Sequence, residues 1–172
     1  ICMDEAYRAL HFLLMAREQV ISDQSPVDSV KSGIESAERA LEFADKQARH
    51  IPVPRDYVRA YWSLGAAYRS SASFRSAQND ASNELTLAEE NLSKALNLCR
   101  QINLVDTEAD ILLDLARLSF AYGLSSSAQD RLQFFQDAQE KASEALMITE
   151  RSGYVLQGAD VNLFLATLAL EG

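Results

Sequence analysis

The sequence predicts an all-α fold built as an α-solenoid, in which similar helical hairpins stack side by side. Residues 88–120 recur fifty residues later as 138–170, with twelve of the thirty-three positions identical. Apolar residues also recur at helical rather than strand spacing, as in Ile111, Leu115 and Leu118. A fixed period with helical patterning is typical of stacked units that cannot bury their apolar faces alone.

This periodicity predicts seven helices, at 3–22, 26–49, 55–71, 75–102, 107–122, 127–151 and 157–171. We expect them to form three long hairpins, at about 3–49, 55–102 and 107–151, followed by one unpaired C-terminal helix at about 157–171. No change of composition marks a linker. A single domain over 1–172 is therefore expected.

Two sites carry the residues that usually begin a helix. Ser25 precedes Pro26, and Asp28 follows three residues after the serine, which predicts a serine cap with proline in the first helical position. Ser127 and Asp130 have the same serine-to-acid spacing. Both patterns place a helix start close to where the apolar periodicity begins.

Three residues are candidates to end helices. Asn103 and Gly153 occupy equivalent positions of the repeat, and both residue types tolerate the left-handed backbone of a helix C-terminus. Gly123 is interpreted as a further stop. The serine-rich stretches 70–73 and 125–127 are interpreted as turns between helices, where hydroxyls satisfy free backbone groups.

Composition narrows the classes of partner. The chain has 172 residues, 48% of them hydrophobic, which is enough to bury a core. Its net charge of −9 disfavours binding to nucleic acid or to anionic membranes, because Lys and Arg drive both. Two isolated cysteines form neither a disulfide framework nor a metal spacing. A reduced, cytoplasmic protein is expected.

One segment resembles the first helix of a tetratricopeptide repeat, through Leu64, Gly65 and Tyr68. The spacings that begin at Ala88 and Ala138 resemble its second helix, and the matching residues of the two stretches are Leu92, Ala95 and Leu96, then Ala142, Ala145 and Leu146. The resemblance implies a right-handed solenoid that binds a protein or peptide on its concave side. Its usual unit is about 34 residues, so the period near fifty predicts longer helices here.

The last repeat also resembles the long repeats in the C-terminal halves of bacterial STAND-type signalling ATPases. The residues that carry this likeness are Gly153, Tyr154, Ala159, Asp160, Leu163, Leu165, Ala166 and Leu168. The likeness implies the sensor or interaction region of a larger signalling protein. No Walker-type glycine loop is present in this sequence, so an ATPase domain would lie outside it. The start at Ile1 and the apolar last helix lead us to expect a fragment.

Nothing in the sequence assembles a catalytic or metal-binding set. His11 and His50 have no second His or Cys at ligand spacing, and Cys99 lies in an apolar helix without a base nearby. We expect a structural or surface role for both histidines, a buried inert thiol, no cofactor and no enzyme activity in this chain.

The tetratricopeptide register places a set of charged and aromatic residues on the concave side. These binding candidates are Arg59, Trp62, Arg69, Asp110, Asp114, Arg117, Asp160, Phe164 and Thr167. Aromatic and arginine side chains dominate many interfaces, although Trp62 and Phe164 are equally well interpreted as packing between long helices.

Asp110 and Asp160 have two interpretations, since the repeat retains both. The simpler one is an acid in the first turn of each helix, worth about 0.3–1 kcal/mol against the helix dipole. The other is a row of carboxylates for a basic peptide. The function predicted is a protein- or peptide-binding scaffold, with self-assembly through the exposed C-terminal helix as the alternative.

Overall fold

The structure is a computed structural model that describes residues 1–22, 25–75 and 82–171. Within these ranges it contains seven α-helices and no strand. The helices are α1 (Cys2–Ile21), α2 (Val27–Ala48), α3 (Pro54–Arg75), α4 (Ser82–Gln101), α5 (Val105–Ser125), α6 (Ala128–Ser152) and α7 (Val155–Glu171). The predicted all-α class is confirmed, and so are the long helices.

The chain divides into two compact units, Ile1–Ile102 and Asn103–Gly172. In the first unit α1, α2 and α3 contact one another and α4 packs on α3. In the second unit α6 contacts both α5 and α7, and α5 contacts α7. This packing of neighbouring helices fits a helical repeat. The expectation of a single domain stays a prediction.

The core of the first unit is made largely of small side chains. Ala9, Ala37, Ala40 and Ala60 are fully buried between α1, α2 and α3. Small residues at helix contacts let the helix axes approach closely. The buried Glu5 of α1 adds an ion pair across this core, which joins α1 to α2.

That ion pair is well satisfied at the carboxylate. Glu5 Oε2 accepts a hydrogen bond of 3.1 Å from Arg39 Nε of α2, and Glu5 Oε1 accepts one of 2.8 Å from Arg8. Both oxygens of the buried carboxylate therefore have a cationic donor, which offsets the cost of removing it from water.

Close approach is most marked where α3 meets α4. A Cβ atom on Gly65 would lie 2.6 Å from Leu92 Cγ and 3.0 Å from the Leu92 backbone nitrogen. Only glycine fits at this distance. The equivalent positions of the second unit hold Ala116 and Ala142, both fully buried. The second unit thus has alanine in place of Gly65 on α5, and alanine in place of the larger Leu92 on α6.

The predicted helix stops are confirmed at two positions and wrong at the third. Asn103 and Gly153 have positive φ values of 55° and 71°. The Tyr154 amide donates to the Thr149 carbonyl at 2.9 Å, as a Schellman ending requires. Gly123 instead lies inside α5, where a Cβ atom would be 2.6 Å from the Phe135 ring. The small size of this glycine, not its backbone freedom, explains its presence.

Of the two predicted helix starts, one is confirmed with its serine cap and the other lies one residue later than expected. The Ser127 hydroxyl accepts from the Asp130 amide and caps α6, as predicted. Helix α2 begins one residue later than expected, with Pro26 at the cap and no side-chain cap.

The turn predicted at 70–73 is wrong, because α3 continues through it to Arg75, whereas α5 ends within the serine stretch 125–127 as predicted. Ser73 Oγ donates to the Arg69 carbonyl inside the helix, so the hydroxyl is satisfied without a turn. Residues 76–81, which the prediction placed in the fourth helix, lie outside the described residues.

We expect Gly65→Ala to lower the free energy of unfolding by about 1–3 kcal/mol, because the new methyl group meets the Leu92 backbone. Alanine is the better helix former, so a helix-propensity effect would have the opposite sign. Urea unfolding followed by circular dichroism measures the change.

The double variant Gly65→Ala/Leu92→Ala reproduces the alanine pair of the second unit, and serves as the matched control. Leu92→Ala alone should cost about 2–5 kcal/mol, and the two losses should be less than additive. Strictly additive losses would show that the close approach at Gly65 does not constrain the pair.

Candidate functional site

The first unit presents its three predicted binding residues on one side of α3. Arg59, Trp62 and Arg69 follow at spacings of three and seven, and each is half-buried. The guanidinium of Arg59 reaches across to α1, where Nη1 lies 3.3 Å from Met3 Sδ and the group lies 6.0 Å from the centre of the Tyr7 ring. The side shared by α1 and α3 is therefore cationic and aromatic.

The contribution of α1 to this surface has no counterpart among the residues predicted from the sequence. Met3 and Tyr7 are 42% and 53% exposed, and they border Arg59 from the neighbouring helix. The fifty-residue repeat does not extend clearly into α1, so no pattern in the sequence aligned these residues with the other candidates. Only the contact between α1 and α3 identifies them.

The second unit brings four of its predicted residues into one cluster. Asp110, Asp114 and Arg117 lie on one side of α5, at spacings of four and three, and Asp160 lies on α7. Arg117 Nη2 donates to Asp160 Oδ2 at 2.9 Å, and Arg117 Nη1 lies 3.5 Å from Asp114 Oδ1. Arg117 thus joins two carboxylates that come from different helices.

Burial strengthens the interactions between the charged groups of this cluster. The side chain of Asp114 is only 8% exposed, against 46% for Asp160. Burial by itself lowers the pKa of Arg117, but Asp114 and Asp160 outweigh that effect and raise it above its usual value. The guanidinium is therefore a fixed positive charge at the contact between α5 and α7.

Asp110 is the residue that the cluster perturbs most. Its pKa is raised from 3.8 to about 7, first by burial and then by the charges of Asp114, Asp160 and Asp106, against a smaller opposing effect of Arg117. Carboxylates thus outnumber the guanidinium in this cluster. The cluster can therefore take up a proton near neutral pH or accept a cationic group from a partner.

The interpretation of Asp110 and Asp160 as first-turn acids is wrong. The acids in the first turn of α5 are Asp106 and Glu108, and α7 has none there. Both repeated aspartates lie one turn further along, where the helix dipole has little effect. Their retention in the repeat corresponds to the contact between α5 and α7 instead.

The last two predicted residues lie on α7. Phe164 is 7% exposed, and its ring centre lies 6.0 Å from that of Phe120 in an edge-on contact. Thr167 is exposed and donates from its hydroxyl to the Leu163 carbonyl. Phe164 therefore packs between α5 and α7, as the packing interpretation expects, while Thr167 remains at the surface.

A second polar contact in this unit joins α5 to α6. Ser119 Oγ donates to Asp137 Oδ2, which also forms an ion pair with Lys141. Burial opposes ionisation of Asp137, yet the hydrogen bonds from Lys141 and Ser119 lower its pKa below the usual value. This satisfied contact fixes the register of the two helices.

The groups considered for chemistry are two histidines and two cysteines. His11 and His50 are exposed, and the thiols of Cys2 and Cys99 are both buried and unbridged. Burial, followed by the charge of Asp56, raises the pKa of Cys2 to about 11, so its thiol is a poor nucleophile. Among the described residues no group of three His, Cys, Asp or Glu side chains could hold a metal ion.

No helix among residues 1–22, 25–75 and 82–171 is both long and apolar enough to cross a bilayer. No family model, curated protein or solved structure matches the chain.

We expect Asp110→Asn to flatten the pH dependence of stability. The pKa of Asp110 is about 7 in the folded protein and 3.8 as its ordinary value. Its favourable contribution is therefore complete below about pH 4 and is lost as the pH rises through about 7. The melting temperature of the unmodified protein should therefore fall between about pH 4 and 7 more steeply than that of the variant, and the two slopes should agree above about pH 8.

Thermal unfolding followed by circular dichroism at each pH tests this. Glu140→Gln is the matched control, because it removes one carboxylate from an exposed position of the same unit, and Glu140 is not among the charges that raise the pKa of Asp110. Equal slopes for Asp110→Asn and the unmodified protein would contradict the assignment.

We expect Arg117→Leu to lower the free energy of unfolding by about 1–3 kcal/mol, since it removes a cationic partner from the buried Asp114. It should also steepen the loss of stability with rising pH, because the cation that lowers the pKa of Asp110 is gone. Urea unfolding at about pH 6 and 8 measures both effects. A purely steric role for Arg117 would lower stability equally at the two values.

Proposed function

We propose that this chain is a tetratricopeptide-like, right-handed solenoid that binds a protein or peptide along its odd-numbered helices, α1, α3, α5 and α7. The observation that carries the proposal is common to both units. In each unit two odd-numbered helices contact each other, and an arginine of one reaches a side chain of the other. Each such pair forms a polar surface that the core does not require.

The repeat supports a common surface of this kind. Arg59 of α3, Asp110 of α5 and Asp160 of α7 occupy the same position in the three repeats when Leu64 is aligned with Leu115 and Leu165. This position is charged in every copy, but the sign of the charge changes. A position that keeps a charge while the core residues around it stay apolar favours recognition over packing.

The chemistry of each surface indicates the segment it would contact. In the first unit Arg59, Trp62 and Arg69 suit an acidic or aromatic segment, because arginine and tryptophan provide large contact areas and strong hydrogen bonds. In the second unit Asp110 and Asp160 suit lysine or arginine. Binding is by complementarity of charge and shape, with no covalent step.

The proposal also covers the parent protein and its location in the cell. The chain would serve as the interaction or sensor region of a larger signalling protein, as the resemblance to STAND-type repeats implies. We expect a cytoplasmic location, and the two buried, unbridged thiols support a reducing compartment. No enzyme activity is assigned to it, because the perturbed aspartate faces an arginine and other carboxylates, not a nucleophile.

A structural self-assembly module is the second candidate. It is favoured by the apolar surface of α7, where Leu156, Leu163 and Leu170 are 83%, 65% and 88% exposed. Exposed apolar surface of this kind marks association sites or aggregation liabilities. Sedimentation velocity over a range of protein concentrations separates a scaffold that stays monomeric from a module that assembles.

Selection of displayed peptides on the immobilised chain tests the binding proposal directly. We expect two classes of binder, one acidic and aromatic, the other rich in Lys and Arg. Arg59→Glu should weaken the first class by about tenfold and leave the second unchanged. Asp160→Lys should do the reverse.

Each variant thus serves as the control for the other, and circular dichroism confirms that both stay helical. Raising the salt concentration should weaken both classes, since these surfaces are partly exposed. Peptides that bind both variants as tightly as the unmodified chain would refute the assignment of these surfaces.

A further inference from the structure

An unassigned cavity lies in the first unit, between the start of α2 and the end of α3. Its volume is about 300 Å³. Cavities that bind small molecules hold about 300–1,000 Å³, so this one suits a small molecule better than a peptide or a helix. Arg59, Trp62 and Arg69 do not line it. The cavity is therefore separate from the surface that α1 and α3 share.

Most of the cavity wall is apolar. Val27, Val30 and Ile34 follow at spacings of three and four on one side of α2, and Phe74 lines the cavity from α3. Val30 is only 5% exposed, whereas Val27 is 61% exposed. The cavity thus combines a buried apolar wall with an open edge, and it can remove the apolar part of a ligand from water.

One polar group is buried in this wall. Ser71 of α3 is 3% exposed and lines the cavity. In the part of the chain that the structure describes, its hydroxyl has no hydrogen-bond partner, whereas the hydroxyls of Ser63 and Ser73 donate to carbonyls three or four residues earlier in the same helix. Buried polar groups in proteins are almost always hydrogen-bonded. The Ser71 hydroxyl is therefore available to a polar atom of a molecule in the cavity.

Two opposite charges lie at the open edge. Lys31 and Glu35 are one turn apart on α2, both line the cavity and both are exposed. Neither forms an ion pair with another described residue, although Lys46 and Glu42 form one at the same spacing in the same helix. A ligand with a single charge would be attracted by one of these groups and repelled by the other. A ligand that carries both a carboxylate and an ammonium group satisfies both.

The second unit shows which of these features follow from the fold alone. When Ala40 is aligned with Ala145, four lining residues of α2 correspond to residues of α6 that border a cavity against α7. The pairs are Val27 and Leu132, Val30 and Phe135, Lys31 and Gln136, and Ile34 and Gln139. A cleft at this place is thus a consequence of helix packing. The cation is specific to the first unit, because the second has Gln136 there.

We propose that the cavity between α2 and α3 binds a small zwitterion with an apolar side chain, which is the chemistry of a free apolar amino acid. The apolar side chain lies against Val30, Ile34 and Phe74. The ligand carboxylate accepts from Lys31 and Ser71, and its ammonium group donates to Glu35. This site is independent of the proposed peptide-binding surfaces of the odd-numbered helices.

The probe is free leucine, and two analogues each remove one of its charges. Isopentylamine lacks the carboxylate, and isocaproate lacks the ammonium group. Each is titrated into the whole chain with isotope-labelled methyl groups of Val, Leu and Ile, followed by NMR. We expect leucine to cause saturable shifts at Val27, Val30 and Ile34. Each analogue should bind about three- to fivefold more weakly, because it loses one partly exposed ion pair.

Two charge variants of the chain assign the roles of Lys31 and Glu35. Lys31→Met should weaken the binding of leucine about three- to fivefold, but it should not weaken isopentylamine, which has no carboxylate. Glu35→Gln should weaken leucine to the same extent, but not isocaproate. Lys46→Met is the matched control, because it removes a cation of the same helix that does not line the cavity. It should change the affinity for leucine by less than about twofold.

A third variant tests the cavity itself. Ser71→Leu fills the cavity from the side of α3 and should weaken leucine by about tenfold or more. Ser73→Leu is its control, since it makes the same substitution at an exposed position of the same helix. Circular dichroism shows whether both variants stay helical. The charge variants change only exposed side chains, so they test the site even where Ser71→Leu destabilises the fold.

Three results would overturn the proposal. Absence of leucine binding to the whole chain would show that the cavity does not accept such a zwitterion. Equal affinity for leucine and both analogues would show that Lys31 and Glu35 take no part in recognition. Shifts confined to the methyl groups of Leu165 and Leu168 would assign binding to the cleft of the second unit instead.

Discussion

Close packing of α1, α3 and α5 against the even-numbered helix that follows each of them is the constraint on which the structure depends. At Gly65 the approach of α4 leaves no space for a Cβ atom, and at Gly123 the Phe135 ring of α6 fills the same kind of gap. Such contacts remove apolar surface from water and also fix the helix register. A bulkier residue at either glycine would separate the paired helices and expose the apolar residues buried between them.

The polar contacts take their positions from this packing. The contact between α5 and α7 brings Arg117 within hydrogen-bonding distance of Asp160, and the same guanidinium lies beside the buried Asp114. Asp110 is raised in pKa by burial and by the neighbouring carboxylates. The proton affinity of this cluster is therefore a consequence of helix packing, and it would change with any movement of α7 relative to α5.

Much of the helical architecture was predictable because local signals and the repeat agreed. Asn103 and Gly153 ended helices as their residue types suggested, and Ser127 capped α6. Prediction failed where tertiary contact or bonding within the helix overrode local preference. Glycine is a typical helix stop, yet Gly123 lies inside α5, where the Phe135 ring leaves no space for a side chain. The serines at 70–73 resembled a turn, but α3 continues through them, and the Ser73 hydroxyl bonds within the helix.

The sequence by itself determined the helical class, the fifty-residue repeat and the spacing that places the candidate residues of α3 and of α5 on one side of each helix, because these depend on spacing along the chain. Only the tertiary structure decided which of those residues meet. It paired Arg117 with Asp160, which lies forty-three positions later, and it placed the Tyr7 ring beside Arg59. It also buried Phe164, and it left Ala166 exposed although the repeat equivalent Ala116 is buried. Burial and pKa depend on neighbours that are distant in the chain, and identical residues therefore acquire different roles in different copies of the repeat.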